Sequence, residues 1–117
     1  TVHMVLSDRS RDLLGADDLR QMKKDAILVN TSRGPLINEA ALIQALKEGW
    51  IGGAALDVYD QEPLPGDHPL RRAPNTLVTP HIGYATEATY KVFIPDTLEN
   101  VQAYLAGAPI RVMNPAA

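Results

Sequence analysis

The sequence contains no cysteine, few aromatic residues and no long hydrophobic run. Without cysteine there can be no disulfide framework and no thiolate chemistry, and this composition favours a reducing compartment. No apolar stretch approaches the roughly 20 residues that cross a bilayer, and no signal peptide opens the chain. We therefore expect a cytoplasmic protein with no membrane partner.

The sequence also lacks an excess of positive charge. Its formal net charge is -3 and its pI is about 5.5. A protein that binds nucleic acid through phosphate contacts usually carries a basic patch, so nucleic acid is not an expected partner. The whole sequence of 117 residues is 45% hydrophobic and 21% charged, which is typical of one globular domain with a single core.

Apolar strand-like segments alternate with helix-like segments along the chain. Strands are predicted over residues 1–6, 26–30, 52–58 and 76–79, and helices over 17–24, over 39–48 and from Thr86 toward Gly107. Residues 59–75 contain four prolines and many charges, which predicts an irregular excursion. The short first helix has Asp17-Asp18 in its first turn and Lys23-Lys24 in its predicted last turn, in agreement with the helix dipole.

The second helix has the clearest ends, because Asn38 is a good N-cap and Gly49 suits a left-handed residue after the helix. Pro95, inside the last helix, predicts a kink or a split. Nearly continuous apolar strands that alternate with helices indicate a parallel sheet covered on both faces.

The predicted fold is α/β and forms part of a doubly wound parallel sheet of the Rossmann type. Such a sheet usually has six strands, whereas four are predicted here. No G-x-G-x-x-G sequence occurs, so the glycine-rich phosphate loop is missing. The first residue is Thr1 and a strand-like segment starts at once, so we expect a fragment of a larger fold.

Four chemically capable side chains follow the predicted strands at their carboxyl ends, where open α/β sheets bind ligands. Arg33 follows the second strand, Asp57 closes the third, Glu62 lies just beyond it, and His81 follows the fourth. Because these ends meet at one edge of a sheet, we expect the four side chains to form one site.

Three motifs in this order resemble the D-isomer-specific 2-hydroxyacid dehydrogenases. The motifs are Leu28-Val29-Asn30-Thr31-Ser32-Arg33-Gly34, Ala54-Ala55-Leu56-Asp57-Val58-Tyr59 with Glu62-Pro63, and Thr79-Pro80-His81-Ile82-Gly83. The intervals of 24 residues from Arg33 to Asp57 and 29 from Arg33 to Glu62 also agree with the family. The resemblance assigns residues 1–117 to the C-terminal portion of the NAD(P)-binding Rossmann domain, with residues 86–117 as terminal helix and tail. The substrate domain is absent.

The resemblance implies an oxidoreductase that transfers hydride between a nicotinamide cofactor and a small 2-keto or 2-hydroxy acid, such as glyoxylate, hydroxypyruvate or phosphoglycerate. Arg33 would bind the substrate carboxylate and polarise its carbonyl through a planar guanidinium fork. His81 would act as acid/base, and Glu62 would pair with it and orient the ring. An isolated fragment is expected to be inactive.

The family also implies NAD or NADP as cofactor. Asp57 would accept a hydrogen bond from the nicotinamide carboxamide. The remaining residues expected along the cofactor are Thr31, Ser32, Arg33, His81, Gly83 and Tyr84, with His3 and Met4 near the ribose. Family members pair through this domain, which predicts a homodimer. The residue that distinguishes NAD from NADP falls outside this sequence.

Several other interpretations compete with this one. Corepressors of the same superfamily keep the fold and the catalytic residues while acting through partners, so residue identity leaves a binding protein open. A serine hydrolase built on Ser32 lacks the G-x-S-x-G elbow. His3, His68 and His81 share no ligand spacing, so no metal site is expected, and His68 is expected to be a solvated loop residue. The glycosylation sequon at Asn30-Thr31-Ser32 is interpreted as a chance match, and formate dehydrogenases have glutamine in place of Glu62.

Overall fold

The protein was analysed as a computed structural model that describes residues 1–114. The chain divides into two compact units, residues 1–83 and residues 84–117. The first unit contains α1 (Ala16–Gln21), β1 (Ile27–Asn30), α2 (Glu39–Glu48), β2 (Gly53–Leu56) and β3 (Thr76–Val78), with short 3-10 turns at Gly34–Leu36 and Pro69–Arg71. The second unit contains α3 (Glu87–Leu105).

The three strands form one parallel sheet in the order β1-β2-β3, which confirms the predicted α/β class. Leu28, Ala54 and Leu56 are buried in the core together with the inward residues of α2. On the other face, Ile27 and Leu77 stay exposed. Within the described chain the sheet is therefore packed on one face, whereas the sequence predicted two covered faces.

The prediction of a strand over residues 1–6 was wrong. Only Val2 pairs with the sheet, as an isolated parallel bridge to Asn30 in which the Val2 amide donates to the Val29 carbonyl at 2.9 Å. The next carbonyls take side-chain partners instead of a ladder, since Met4 O accepts from Ser32 Oγ and Val5 O accepts from Ser10 Oγ. Side chains that compete for the backbone in this way end a strand.

The helix predicted over 39–48 is confirmed at both ends. Asn38 Oδ1 accepts the Ala41 amide at 2.9 Å, and Gly49 adopts φ 67°, a conformation that glycine enters without a Cβ clash. α1 ends earlier than predicted, because Met22 turns to extended backbone with ψ 156°. Lys23-Lys24 therefore lies beyond the helix, and Arg20 is the basic residue of its last turn.

α3 is one continuous helix through Pro95, so the predicted split does not occur. Thr86 caps its start by accepting the Thr89 amide. None of its residues is buried. Within residues 1–114, no helix combines the length and apolar character that crossing a membrane requires.

Candidate active site

The first part of the candidate site is the turn that follows β1. Asn30 ends the strand and is 1% exposed, yet both polar atoms of its side chain are bonded. Its Oδ1 accepts the Ser32 amide at 3.0 Å, and its Nδ2 donates to the Arg33 carbonyl at 2.9 Å. Arg33 itself is exposed, in agreement with the prediction that it lies at the rim of the sheet and not in the core.

Gly34 brings this turn into contact with the segment after β2. A Cβ at Gly34 would fall 2.0 Å from the carbonyl carbon of Tyr59, so no other residue fits there without moving the backbone. The Tyr59 hydroxyl donates to the carbonyls of Leu56 and Thr79 at 2.9 and 2.7 Å. Tyr59 thereby connects the ends of β2 and β3 beside the turn that carries Arg33.

Glu62 and His81 form a close polar contact at the edge of the site. His81 Nδ1 lies 2.6 Å from Glu62 Oε2, and the other carboxylate oxygen of Glu62 accepts the Tyr59 amide at 3.0 Å. The two side chains stay 38% and 35% exposed. The structure therefore brings the predicted acid/base and its predicted orienting acid together at an accessible edge.

The turn that carries His81 is held by Asp57. Asp57 is 5% exposed, and its carboxylate accepts the Thr79 hydroxyl and the amides of Ile82 and Gly83, the amides at 2.9 and 2.8 Å. His81 has φ 57°, in the left-handed region that few residues other than glycine adopt. Sparsely populated backbone of this kind persists only where the surroundings hold it, as Asp57 does here.

Electrostatics links the four predicted residues. Burial by itself would raise the pKa of Glu62, but the hydrogen bonds from His81 and Tyr59 and the charges of His81 and Arg33 outweigh it and lower that pKa. For Asp57, burial likewise opposes ionisation, while the bonds from Thr79, Ile82 and Gly83 and the charge of His81 lower its pKa. Both acids are therefore carboxylates at neutral pH.

A cavity of about 490 Å³ lies beside the Glu62–His81 pair. Tyr59, Leu64, Arg71 and Val78 contribute to its walls. Arg71 fixes the excursion at this point, since its guanidinium donates to the carbonyls of Leu64 and Pro65 at 2.7 and 2.8 Å. The space next to the pair is large enough for a small organic ligand.

The other predicted cofactor residues occupy different places. Thr31 and Ser32 belong to the turn after β1, and Ser32 Oγ donates to the Met4 carbonyl at 2.7 Å, which places Met4 beside that turn. His3 is exposed and its Nε2 lies 2.8 Å from the Thr1 hydroxyl. Gly83 is bound to Asp57, as described above. Tyr84 lies in the second unit and is exposed.

Sequence reasoning missed the residues that hold the site together. Asn30 and Tyr59 were recognised only as members of the family motifs, with no role of their own, because a single sequence does not show where a side chain bonds. A polar residue at the end of an apolar strand, as Asn30 is, was the available signal, since buried polar groups require partners. The side chain of Asn30 is buried and both of its amide atoms are bonded. It is therefore not accessible for glycosylation at the Asn30-Thr31-Ser32 sequon.

The prediction that His68 is a solvated loop residue was wrong. Its Nε2 lies 3.1 Å from Glu39 Oε1, and its Nδ1 accepts the Leu70 amide at 3.3 Å. The side chains of His68 and Glu39 are only 16% and 20% exposed. No group of three or more His, Asp or Glu side chains that could hold a metal ion occurs among residues 1–114.

Residues 1–83 match the family model of the NAD-binding domain of D-isomer specific 2-hydroxyacid dehydrogenases. Among characterised proteins, the chain is 44% identical over 115 residues to a glycerate dehydrogenase of Methylorubrum extorquens, and this match covers 97% of the chain and 37% of that enzyme. The chain thus spans about a third of the length of the relatives it matches.

Solved structures share the fold. A D-lactate dehydrogenase of Lactobacillus jensenii with NAD⁺ matches with a TM-score of 0.77 and 31% identity over 97% of the chain and 38% of that protein. A D-isomer specific 2-hydroxyacid dehydrogenase of Xanthobacter autotrophicus in complex with NADPH matches with a TM-score of 0.68 and 40% identity over 92% of the chain and 44% of that protein. The similar proteins therefore include both cofactor types.

Proposed function

The chain belongs to the D-isomer specific 2-hydroxyacid dehydrogenases and corresponds to part of their NAD-binding domain, and we propose on this basis that it carries the catalytic residues of such an enzyme. The full-length protein would transfer hydride between NAD or NADP and a small 2-keto or 2-hydroxy acid. The observation that carries the proposal is the 2.6 Å contact between His81 Nδ1 and Glu62 Oε2, close enough to Arg33 that its charge lowers the pKa of Glu62.

Arg33 would bind the substrate. The guanidinium presents two parallel donors that match a carboxylate and the neighbouring 2-oxo oxygen. Donors that face the carbonyl oxygen stabilise the negative charge that develops there during reduction, which is the largest effect that a site of this kind supplies. The exposed position of Arg33 at the rim of the sheet supports this role.

His81 would give a proton to the substrate oxygen during reduction and take it back during oxidation. Since Glu62 is ionised, Nδ1 carries the proton of the 2.6 Å bond, and the proton exchanged with substrate would be carried by the other ring nitrogen, Nε2. Glu62 would hold the orientation of the ring through this bond, while the Tyr59 amide donates to Glu62 and holds it in place. General acid/base catalysis of this kind contributes roughly 100- to 10,000-fold.

A nicotinamide cofactor would supply or accept the hydride. The residues present fit the nicotinamide half of such a cofactor in one respect that the structure allows to be tested. A carboxylate has about four lone-pair sites, and the bonds at Asp57 use two sites on Oδ1 and one on Oδ2. Asp57 Oδ2 therefore keeps one site for a carboxamide N–H, and Thr31 and Ser32 would line the same side.

We propose NAD or NADP as the cofactor and glyoxylate, hydroxypyruvate or phosphoglycerate as the substrate. A homodimer and a cytoplasmic location stay predictions from the sequence and the family resemblance.

Replacing Arg33 tests the proposed function in the full-length protein that contains this chain. Two charge-assisted bonds of about 1.5 to 3 kcal/mol each imply that Arg33→Ala lowers kcat/KM for keto-acid reduction by at least about a hundredfold. Binding of the reduced dinucleotide, measured by fluorescence titration, should stay within about a factor of ten, or about 1.4 kcal/mol.

Arg72→Ala is the matched control, because Arg72 is also an exposed arginine of the same unit and lies outside the proposed site. It should leave both quantities unchanged. If Arg33→Ala turned over keto acid as fast as the wild type, the substrate role of Arg33 would be wrong. If the wild-type protein bound dinucleotide without reducing any 2-keto acid, the binding-protein interpretation would replace the enzymatic one.

A further inference from the structure

The Asn30 side chain stands out because it is the most buried polar group next to the proposed site. It lies at the end of β1 with 1% exposure, in direct continuation of the apolar core residues of that strand. A primary amide buried without partners would be strongly unfavourable. Its two polar atoms are both bonded, and both partners belong to the turn that leads to Arg33.

These two bonds hold two different peptide groups of the turn. Oδ1 accepts the Ser32 amide at 3.0 Å, which is an Asx-turn geometry. Nδ2 donates to the Arg33 carbonyl at 2.9 Å. The side chain of Asn30 therefore holds the Thr31–Ser32 peptide before Arg33 and the Arg33–Gly34 peptide after it. Arg33 leaves the turn with extended backbone at φ -147° and ψ 139°.

The same residue also contacts the next strand. The Asn30 carbonyl accepts the Asp57 amide at 3.0 Å, so the start of the Arg33 turn is attached to the residue that holds the His81 turn. The turn is thus tied at one end to Asp57 through Asn30, while Gly34 lies against the Tyr59 backbone at its other end. A change in the Asn30 side-chain amide removes its bonds to Ser32 N and Arg33 O, and it leaves the contact between Gly34 and the Tyr59 backbone in place.

We propose that Asn30 is a positioning residue that sets the place of Arg33 relative to the Glu62–His81 pair through its amide bonds to Ser32 N and Arg33 O. This proposal rests on the proposed function, because it assumes that Arg33 binds the substrate. Asn30 itself would not contact the substrate. Its loss should therefore appear as weaker substrate binding and orientation with dinucleotide binding retained.

The experiment is a double-mutant cycle in the full-length protein. Asn30→Ser keeps an acceptor for the Ser32 amide but cannot reach the Arg33 carbonyl, and it introduces no buried charge. Since a displacement of about 1 Å can lower a rate about a hundredfold, we expect kcat/KM for the keto acid to fall about ten- to a hundredfold, largely through KM. Dinucleotide affinity should change less than about twofold. In an Arg33→Ala background the same Asn30→Ser change should alter kcat/KM less than about twofold, because the group it positions is gone.

Asn30→Asp is the second variant, because it keeps the side-chain length that Asn30→Ser loses. It has nearly the same shape and keeps the acceptor, but a carboxylate cannot donate to the Arg33 carbonyl. We expect the same rise in KM and the same insensitivity in the Arg33→Ala background. Asn38→Ser is the matched control, since Asn38 also bonds a backbone amide in this unit but lies outside the site, and it should leave KM unchanged.

Three outcomes separate the possibilities. Equal losses from Asn30→Ser in both backgrounds would mean that Asn30 acts on stability alone, and this result would overturn the positioning role. An unchanged KM in folded Asn30→Ser and Asn30→Asp would overturn it as well. Full activity of Arg33→Ala would refute the proposed function of Arg33 and the positioning role with it, and that result is recognised from the single Arg33 variant alone.

Discussion

The molecule contains two histidine–carboxylate pairs, and they differ in almost every respect except composition. In one, His81 Nδ1 lies 2.6 Å from Glu62, and both side chains are more than a third exposed. In the other, His68 Nε2 lies 3.1 Å from Glu39, and both are mostly buried. His68 lies in the segment between β2 and β3, whereas His81 follows β3, so the contrast arises from two different local structures.

Hydrogen bonding explains the contrast. His68 Nδ1 accepts the Leu70 amide, so Nε2 carries the proton that reaches Glu39, and both ring nitrogens serve the fold. His81 instead lies on a left-handed turn that Asp57 holds, and its ring is bonded to a carboxylate that stays at the accessible rim. A histidine paired with an acid is therefore a candidate acid/base only where its surroundings leave it accessible to a substrate.

Replacing each histidine by glutamine should give the largest difference between the two pairs. In the full-length protein, His81→Gln removes the group that moves the proton, and we expect kcat for keto-acid reduction to fall by roughly 100- to 10,000-fold. His68→Gln removes a ring that caps the turn at Pro69–Arg71, so we expect a lower Tm and a kcat within about threefold of wild type, or about 0.7 kcal/mol in the barrier.

Steady-state kinetics and thermal unfolding of both variants check this prediction. Comparable losses of kcat in the two variants would remove the distinction between the pairs. A loss of kcat confined to His68→Gln would mean that His68, and not His81, is the acid/base.

Replacing the two acids should give a smaller difference of the same kind. Glu62→Gln keeps the shape of the side chain but removes the negative charge next to the imidazolium. A charge-assisted bond contributes about 1.5 to 3 kcal/mol, so kcat should fall roughly ten- to a hundredfold. Glu39→Gln should leave kcat unchanged, because Glu39 contacts the His68 ring and not the His81 ring.

The measurement is kcat at saturating substrate for both variants, with Tm as a check on folding. If Glu39→Gln lowered kcat as much as Glu62→Gln, the buried pair would have to act on catalysis through residues 59–75, which contain both His68 and Glu62. In that case the exposed pair could not be called the catalytic one on the basis of its geometry.

The sequence alone was sufficient for the rim of the sheet but not for its supports. Arg33, Glu62 and His81 could be predicted because apolar strands that end in charged residues are visible in one dimension. The bonds of Tyr59 to the Thr79 carbonyl and of His68 to Glu39 could not, since those partners lie 20 and 29 residues away in the sequence. The bonds of Asn30 to Ser32 and Arg33 are local, and their only signal was a polar side chain at the end of an apolar strand. The first strand failed for a related reason, because serine side chains took the carbonyls that the ladder needed.

Helix ends follow the same division between local and tertiary causes. Asn38 and Gly49 fix α2 through contacts within four residues, and their positions were predicted correctly. α1 depends on where Met22 packs against the core, and the lysines that follow it were misassigned. The described fold was thus predictable where the determining contacts are local in sequence.

The smallest expected effect concerns the turn that carries His81. Asp57 binds the Ile82 and Gly83 amides, and its pKa lies below the ordinary 3.8. A lowered carboxylate pKa stabilises the folded state at any pH above the unfolded value, and this contribution is lost as the pH falls through the folded pKa. Asp57→Asn should therefore lower the Tm of the cofactor-free protein by a few degrees at pH 7, for roughly 1.5 to 3 kcal/mol of lost charge-assisted bonding. The difference should shrink as the pH falls below about 4.

Hydrogen exchange at pH 7 localises the effect, since the Ile82 and Gly83 amides should exchange faster in Asp57→Asn while the Leu70 amide, bound to His68, should not change. The exposed Asp67→Asn is the control and should alter neither amide. Equal acceleration at Leu70 and Gly83 would show that Asp57 supports the whole excursion, and the two histidine pairs would then share one support.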